Sequence, residues 1–523
     1  MSRPILPDAL RARFDDREPT ALLDVRSPRA YAEGHVRECT PLPREELEFR
    51  ISELVPDRKT TVVLVDDEGE RAPHDAEWLE ALGYESVYWL EGGTAGAGEE
   101  FEIVSAVDGV YSTAFNYDSK LFGEQVEANE ELPKLDPAEL DEKTEEEDPL
   151  IVDVRTPAEH TEMTIPGSIN VEGVDLGLYV DELRDADQPV VVHCAGRTRS
   201  IIGTATLRRL GYENVYELEN GTMGWELEGY DLESGSDRRI ADLDVDSPRY
   251  TELRERVEKL IEDRGIETVD PSALTEPPEN APFRYLIDVR TEAEYEEGTI
   301  PGARWVPGGQ LIQTTDQQIA VREAEIVLVS DTHVRSGITA HWLDEMGLPN
   351  VTVVRGGIDA WVDIGDVAVP EPSRPVGESL LDGVETYSPT ALEESLEEVV
   401  VLDVRSAGDF EADHLPGAKW VPRVKLEEVI ESDAVGPDRP IVVYCRDGSV
   451  SAYGAAETNY VLDSAELAVL EGGFDAWLEA GLPTTSGTDG MLDEEDVDVE
   501  KVYEQGPEAM ETYLRWEANL IEE

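Results

Sequence analysis

Short apolar runs recur along this chain at even intervals, each followed by a stretch with helical spacing. Val62 to Val65, Val190 to His193, Ile326 to Val329 and Ile441 to Tyr444 have the length and character of strands buried on both faces. A helical pattern runs from Ser200 to Leu210 after the second of them, and another strand, such as Val351 to Val354, follows in each unit. Upstream lie further apolar runs ending in Asp-Val-Arg. Apolar strands alternating with helices predict the α/β class, with parallel sheets flanked by helices. Ligands of such sheets bind beyond the carboxyl ends of the strands. The polar stretch 233–275, with a helical pattern from Arg249 to Arg264, reads as a linker between two halves. The aromatic-rich stretch 95–131 reads as packed. Residues 486–523 read as an acidic tail with a helix from Val499 to Leu520.

The runs are in register with one another. Leu22-Leu23-Asp24-Val25-Arg26 matches Ile151-Val152-Asp153-Val154-Arg155, Leu286-Ile287-Asp288-Val289-Arg290 and Val401-Leu402-Asp403-Val404-Arg405. A Pro-Gly turn follows at Pro166-Gly167, Pro301-Gly302 and Pro416-Gly417, where the first copy has Val36-Arg37-Glu38-Cys39. The residue after the next strand is Asp66, Cys194, Ser330 or Cys445, which lies 42, 41, 42 and 42 residues beyond the Asp of Asp-Val-Arg. Gly-Gly-x-x-x-Trp closes the third and fourth copies at Gly356 to Trp361 and Gly472 to Trp477. Gly221 to Trp225 is a looser version, and the first copy keeps Gly92-Gly93. Four features in one register define a fourfold internal repeat.

Cys194 opens the loop Ala195-Gly196-Arg197-Thr198-Arg199 between a strand and a helix, and Cys445 opens Arg446-Asp447-Gly448-Ser449. Backbone N–H groups converge at such a place and stabilise an anion. The expectation is a lowered thiol pKa and a cysteine that attacks an anionic substrate. Arg197 and Arg199 would pair with the substrate's oxyanion end. Arg446 would act similarly, weakened by Asp447. The competing reading is a pair of buried structural cysteines. Asp66 and Ser330 lack the thiol nucleophile, so units one and three are expected to be inactive. His193 reads as a strand-end residue and Cys39 as a packed small hydrophobe. Arg155 with Glu159, Arg290 with Glu294 and Arg405 with Asp409 share a spacing of four and read as local ion pairs.

Composition changes this picture in two ways. Asp and Glu number 118 against 43 Lys and Arg, a net charge of −75, which opposes nucleic acid and anionic lipid and suits a solvated surface at high salt. Three scattered cysteines give no disulfide framework and no metal motif. Neither a membrane span nor an apolar signal segment is read, so a cytoplasmic location is expected.

Asp-Val-Arg, the Ile-Pro-Gly-Ala turn, the Cys-initiated six-residue loop and Gly-Gly-x-x-x-Trp together resemble the rhodanese (thiosulfate sulfurtransferase) family. The resemblance implies four tandem rhodanese-like domains at residues 1–98, 132–232, 267–368 and 385–485, before the tail 486–523. It implies a persulfide on Cys194 and Cys445, formed from thiosulfate or 3-mercaptopyruvate and passed to cyanide, a thiol or a protein acceptor, with no cofactor or metal. The order inactive, active, inactive, active resembles two copies of two-domain rhodaneses, which implies pairs 1+2 and 3+4. Two other readings remain: a non-catalytic scaffold, and a phosphatase of related fold. The latter needs Cys and Arg six apart, whereas Arg199 is five from Cys194 and position 451 is Ser.

Overall fold

The computed structural model describes residues 3–186, 188–241, 243, 245, 247–276, 281–370, 375–432, 435, 439–462, 466–493 and 499–521. Four five-stranded parallel sheets account for the four repeats. Across the first, the strands run Arg3–Ile5, Val87–Leu90, Thr61–Val65, Thr20–Asp24, Thr40–Pro41. Across the second they run Lys134–Leu135, Val215–Leu218, Val190–His193, Leu150–Asp153, Ile169–Asn170. The third and fourth repeat this order around Glu325–Val329 and Ile441–Tyr444. The strand that leads into the loop is thus the middle one in every sheet. Buried side chains alternate across it: Val442 and Tyr444 enter one core, Val443 and Cys445 the other.

Local chemistry explains the element that follows Asp-Val-Arg. Ser27, Thr156, Thr291 and Ser406 each accept a backbone N–H from three residues on and start a short helix. Thr156 with Glu159 and Thr291 with Glu294 complete capping boxes.

The chain falls into two compact units, and they are not the pairs expected from the sequence. One comprises Met1–Asp16, Thr20–Ile103 and Ser373–Val499, hence repeats one and four; the other comprises Arg17–Pro19, Val104–Pro372 and Glu500–Glu523, hence repeats two and three. In the first unit, Arg44 and Arg423 lie in a buried ion network. Arg44 binds Glu48 (2.9 Å) and Glu457, and Arg423 binds Glu48 (2.8 Å). In the second unit the matching positions are Gly173 and Gly308, and the backbones approach so closely that a Cβ on Gly173 would lie 2.5 Å from Gly309 Cα. The stretch read as a divider does the opposite. Its helix, Pro248–Arg264, buries Tyr250, Leu253, Val257 and Ile261. Val257 packs beside Gly337 of repeat three, while Arg256 binds Asp181 of repeat two (2.5 Å). The tail helix spans Pro507–Ala518, starting later than Val499 because Gly506 turns at φ 94° and Pro507 takes the first helical position.

Candidate active site

All four loops leave the sheet at the same point and fold around the side chain at their first position. In repeat one, the Asp66 carboxylate accepts N–H bonds from Gly69 (2.5 Å), Arg71 (2.7 Å) and Ala72 (2.9 Å). In repeat three, Ser330 Oγ accepts from Ser336 N (3.2 Å). In repeat four, Cys445 Sγ accepts from Ser451 N (3.3 Å). Ala72, Ser336 and Ser451 each lie six residues beyond the loop's first residue. In repeat two the corresponding residue is Ser200, whose hydroxyl accepts the Cys194 thiol at 3.6 Å and whose N–H also faces the sulfur. The loop is therefore an anion cradle by construction, and repeat one fills it with a carboxylate.

Gly-Gly holds this cradle shut. Thr94, Thr222, Ile358 and Phe474, which follow Gly93, Gly221, Gly357 and Gly473 (repeat two has Asn220 in place of the first glycine), donate their N–H to the carbonyl of Asp66, Cys194, Ser330 and Cys445 at 2.8–2.9 Å. A Cβ on Gly473, whose φ is +60°, would lie 2.5 Å from Cys445 O and 2.6 Å from Gly448 N. Glycine is required there both for its conformation and for the close approach.

The two cysteine loops differ in exposure. Cys194 is 2% and Cys445 4% exposed. Around Cys194, Gly196, Arg197 and Thr198 are buried, with Ala195 and Arg199 half-buried. Around Cys445, Arg446 and Asp447 are exposed, with Gly448 and Ser449 half-buried.

The expectation of a lowered thiol pKa is not met. Burial pushes the Cys194 thiol up, outweighing the pull of Arg199 and of the Ser200 hydroxyl and N–H, and Glu517 pushes it further up. Burial also pushes Cys445 up, against hydrogen bonds from Ser451 and Gly448, with Asp447 acting in the same sense as burial. Desolvation of a near-buried sulfur wins over the loop dipoles. Asp447 Oδ1 sits 3.7 Å from Cys445 Sγ and accepts from the Ser449 hydroxyl (2.6 Å) and N–H (2.9 Å), which hold its carboxyl below the usual carboxylate range.

The arginines are also placed differently from the sequence reading. Arg197 turns away to a buried pair with Glu124 (2.7 Å) and to Glu127. Arg199 stays beside the sulfur but is held bidentately by Glu159, both contacts 2.8 Å. Arg446 reaches Asp409 at 2.9 Å. The spacing-of-four ion pairs do not form as such. Each Asp-Val-Arg closes on itself, Arg155 on Asp153, Arg290 on Asp288 and Arg405 on Asp403, all at 2.7 Å. The carboxylate four residues later reaches the loop arginine instead: Glu159 to Arg199, Glu294 to Arg335, Asp409 to Arg446. His193 is buried against Ser168 (2.9 Å), and burial lowers its pKa to about 4, so it stays neutral. Cys39 is buried and its thiol is pushed well up by burial.

Two residues that the sequence reading left aside lie at the Cys194 loop: Tyr513 and Glu517 of the tail helix. Glu517 accepts a hydrogen bond from Thr198 Oγ1 at 2.8 Å. No sequence signal joined positions more than 300 residues apart.

Among the described residues no His, Cys, Asp and Glu cluster could hold a metal ion, and no helix is long and apolar enough to cross a membrane. The rhodanese-like domain family matches residues 6–99, 136–228, 270–364 and 388–480. The chain is 34% identical to a crystal structure of thiosulfate sulfurtransferase from Pseudomonas aeruginosa. That match covers 99% of this chain and 97% of the other, with a TM-score of 0.85. A thiosulfate sulfurtransferase of Pseudomonas aeruginosa is 26% identical over 223 residues, 34% of this chain and 82% of its own length. A sulfurtransferase of Allochromatium vinosum is 34% identical over 83 residues, 16% of this chain and 77% of its own. With four matched copies over more than half its length, each folded around the same loop, this chain belongs to the rhodanese family.

Proposed function

We propose that the chain is a sulfurtransferase that carries sulfane sulfur as a persulfide on Cys445 and Cys194, with thiosulfate or a similar donor and a thiophilic acceptor. In the first step the cysteine sulfur attacks the outer sulfur of thiosulfate. A new S–S bond forms, the bond to the sulfonate sulfur breaks, and sulfite leaves with the electron pair. The thiol proton is given up to solvent base before the attack, so that the thiolate is the attacking species. In the second step cyanide, or another thiophile, attacks the outer sulfur, the persulfide bond breaks, and the cysteine recovers its electron pair. Repeats one and three, with Asp66 and Ser330 in the cradle, carry no sulfur in this reading.

The supporting observation is the cradle itself. Three N–H groups hold the Asp66 carboxylate in repeat one, and the equivalent N–H of Ser451 points at Cys445 Sγ. The same groups suit the charged outer sulfur of a persulfide. Steady-state turnover of thiosulfate and cyanide in high salt tests the scheme. Parallel double-reciprocal lines are expected, with sulfite released before cyanide is needed. Intersecting lines, or no turnover, would contradict it.

A further inference from the structure

The Cys194 loop is covered by segments that lie outside all four family-matched repeats. Helix Tyr117–Glu130 packs on one side, so that a Cβ on its Gly123 would lie 3.0 Å from Thr198 Cγ2. The tail helix Pro507–Ala518 lies on the other. Its Met510, Tyr513 and Leu514 share a buried cluster with Met223 of repeat two. Lys120 stacks under it, 4.9 Å from the Tyr513 ring and 5.2 Å from the Trp516 ring. Glu517 is 1% exposed; its Oε1 takes the Thr198 hydroxyl, whereas its Oε2 has no hydrogen-bond partner among the described residues. That free oxygen points at the loop: a Cβ on Gly196 would lie 3.0 Å from it and 3.3 Å from Tyr513 Cε1. Both nearby arginines are already neutralised, Arg197 by Glu124 and Glu127 and Arg199 by Glu159, and the remaining cation, Lys120, feels the Glu517 charge but donates to Ser112 O (2.7 Å) and not to Oε2. A dianion arriving at Cys194 therefore meets an unpaired carboxylate oxygen in a dry setting, where charge repulsion is strongest.

We propose that Glu517, seated over the loop by Tyr513, is a specificity-determining residue that closes the Cys194 site to small free anions while leaving the Cys445 site open to them. This rests on the persulfide reading and divides the two sites by donor charge. Cys445 accepts thiosulfate directly, since the carboxylate beside it, Asp447, is exposed and screened by solvent. Cys194, enclosed with Glu517, does not. The cap also explains why its sulfur is the more enclosed of the two, and Glu517 adds to the forces that keep it protonated.

The test uses the full chain carrying Cys445→Ser, with and without Glu517→Gln, which keeps the side chain's size and its contact to Thr198. Mass-resolved alkylation of Cys194 is timed with neutral iodoacetamide and anionic iodoacetate at one pH and salt concentration. A change in thiol ionisation alters both rates equally, and one charge in −75 barely moves the global field, so their ratio reports the local carboxylate. The expected result is an iodoacetate-to-iodoacetamide ratio that rises about tenfold or more in Glu517→Gln. Glu517→Ala, measured the same way, should raise the ratio at least as far. An unchanged ratio in both variants overturns the proposal, whether the absolute rates rise together or stay the same. Alkylation needs no persulfide, so this outcome is independent of whether sulfur transfer occurs.

Discussion

With Cys194 and Cys445 both replaced by serine, transfer of sulfur from thiosulfate to cyanide should fall to the uncatalysed background, a loss of at least about a thousandfold. Cys445→Ser alone should remove nearly all of it and Cys194→Ser almost none, because the Cys445 loop is exposed and the Cys194 loop is capped by Glu517. The substitution isolates chemistry from folding. Repeat three already carries serine in this place, with Ser330 Oγ accepting the Ser336 N–H at 3.2 Å, and its sheet has the same strand order as the others. A serine thus fits the cradle but cannot hold a transferable sulfur. Turnover above about one per cent in the double variant would show that neither loop is the site.

Arg44→Met should destabilise the unit formed by repeats one and four by about 3–5 kcal/mol. Arg44 is fully buried and bonds Glu48, Asp75 (3.2 Å) and Glu457. Removing it strands carboxylates in a dry interior, and Arg423 with the more distant Arg71 (3.5 Å from Asp75, 3.9 Å from Glu457) cannot satisfy them. The wild-type network also makes a pH prediction. Burial raises the pKa of Glu48, but Arg423 and Arg44 outweigh burial and hold it at about 2, below its ordinary 4.5. Its contribution to stability is therefore full above pH 4.5 and is lost as the pH falls towards 2. Hydrogen exchange along strand Thr61–Val65, followed against urea at fixed salt, reads both effects. A change below about 1 kcal/mol would mean that the network is solvated and weak.

Part of this arrangement could be read from the sequence. The repeat, the strand that feeds each loop and the loop's first residue were all legible, since each depends on short-range pattern: four apolar residues, then a turn, then a helix. The role of the second glycine was half legible, because a doubled glycine signals a close approach without saying to what; it proved to be the carbonyl of Asp66, Cys194, Ser330 or Cys445. The association of repeats was not legible. Arg44, Glu48, Arg423 and Glu457 look like ordinary surface charge in a chain this acidic, and only folding shows that they face one another. The arginine roles were misread for a related reason. Glu124 and Glu127, which draw Arg197 away from the sulfur, lie about 70 residues upstream, between repeats rather than within one. The thiol pKa was misread because loop dipoles can be inferred from spacing whereas burial of the sulfur cannot.

The most direct test of the account is the intact mass of the full chain after exposure to thiosulfate in high salt and removal of excess donor, with the modified peptide mapped. The account predicts one added sulfur on Cys445, discharged by cyanide, with Cys194 left as the bare thiol and Cys39 untouched. A chain that turns over thiosulfate while Cys445 never gains a sulfur would contradict it.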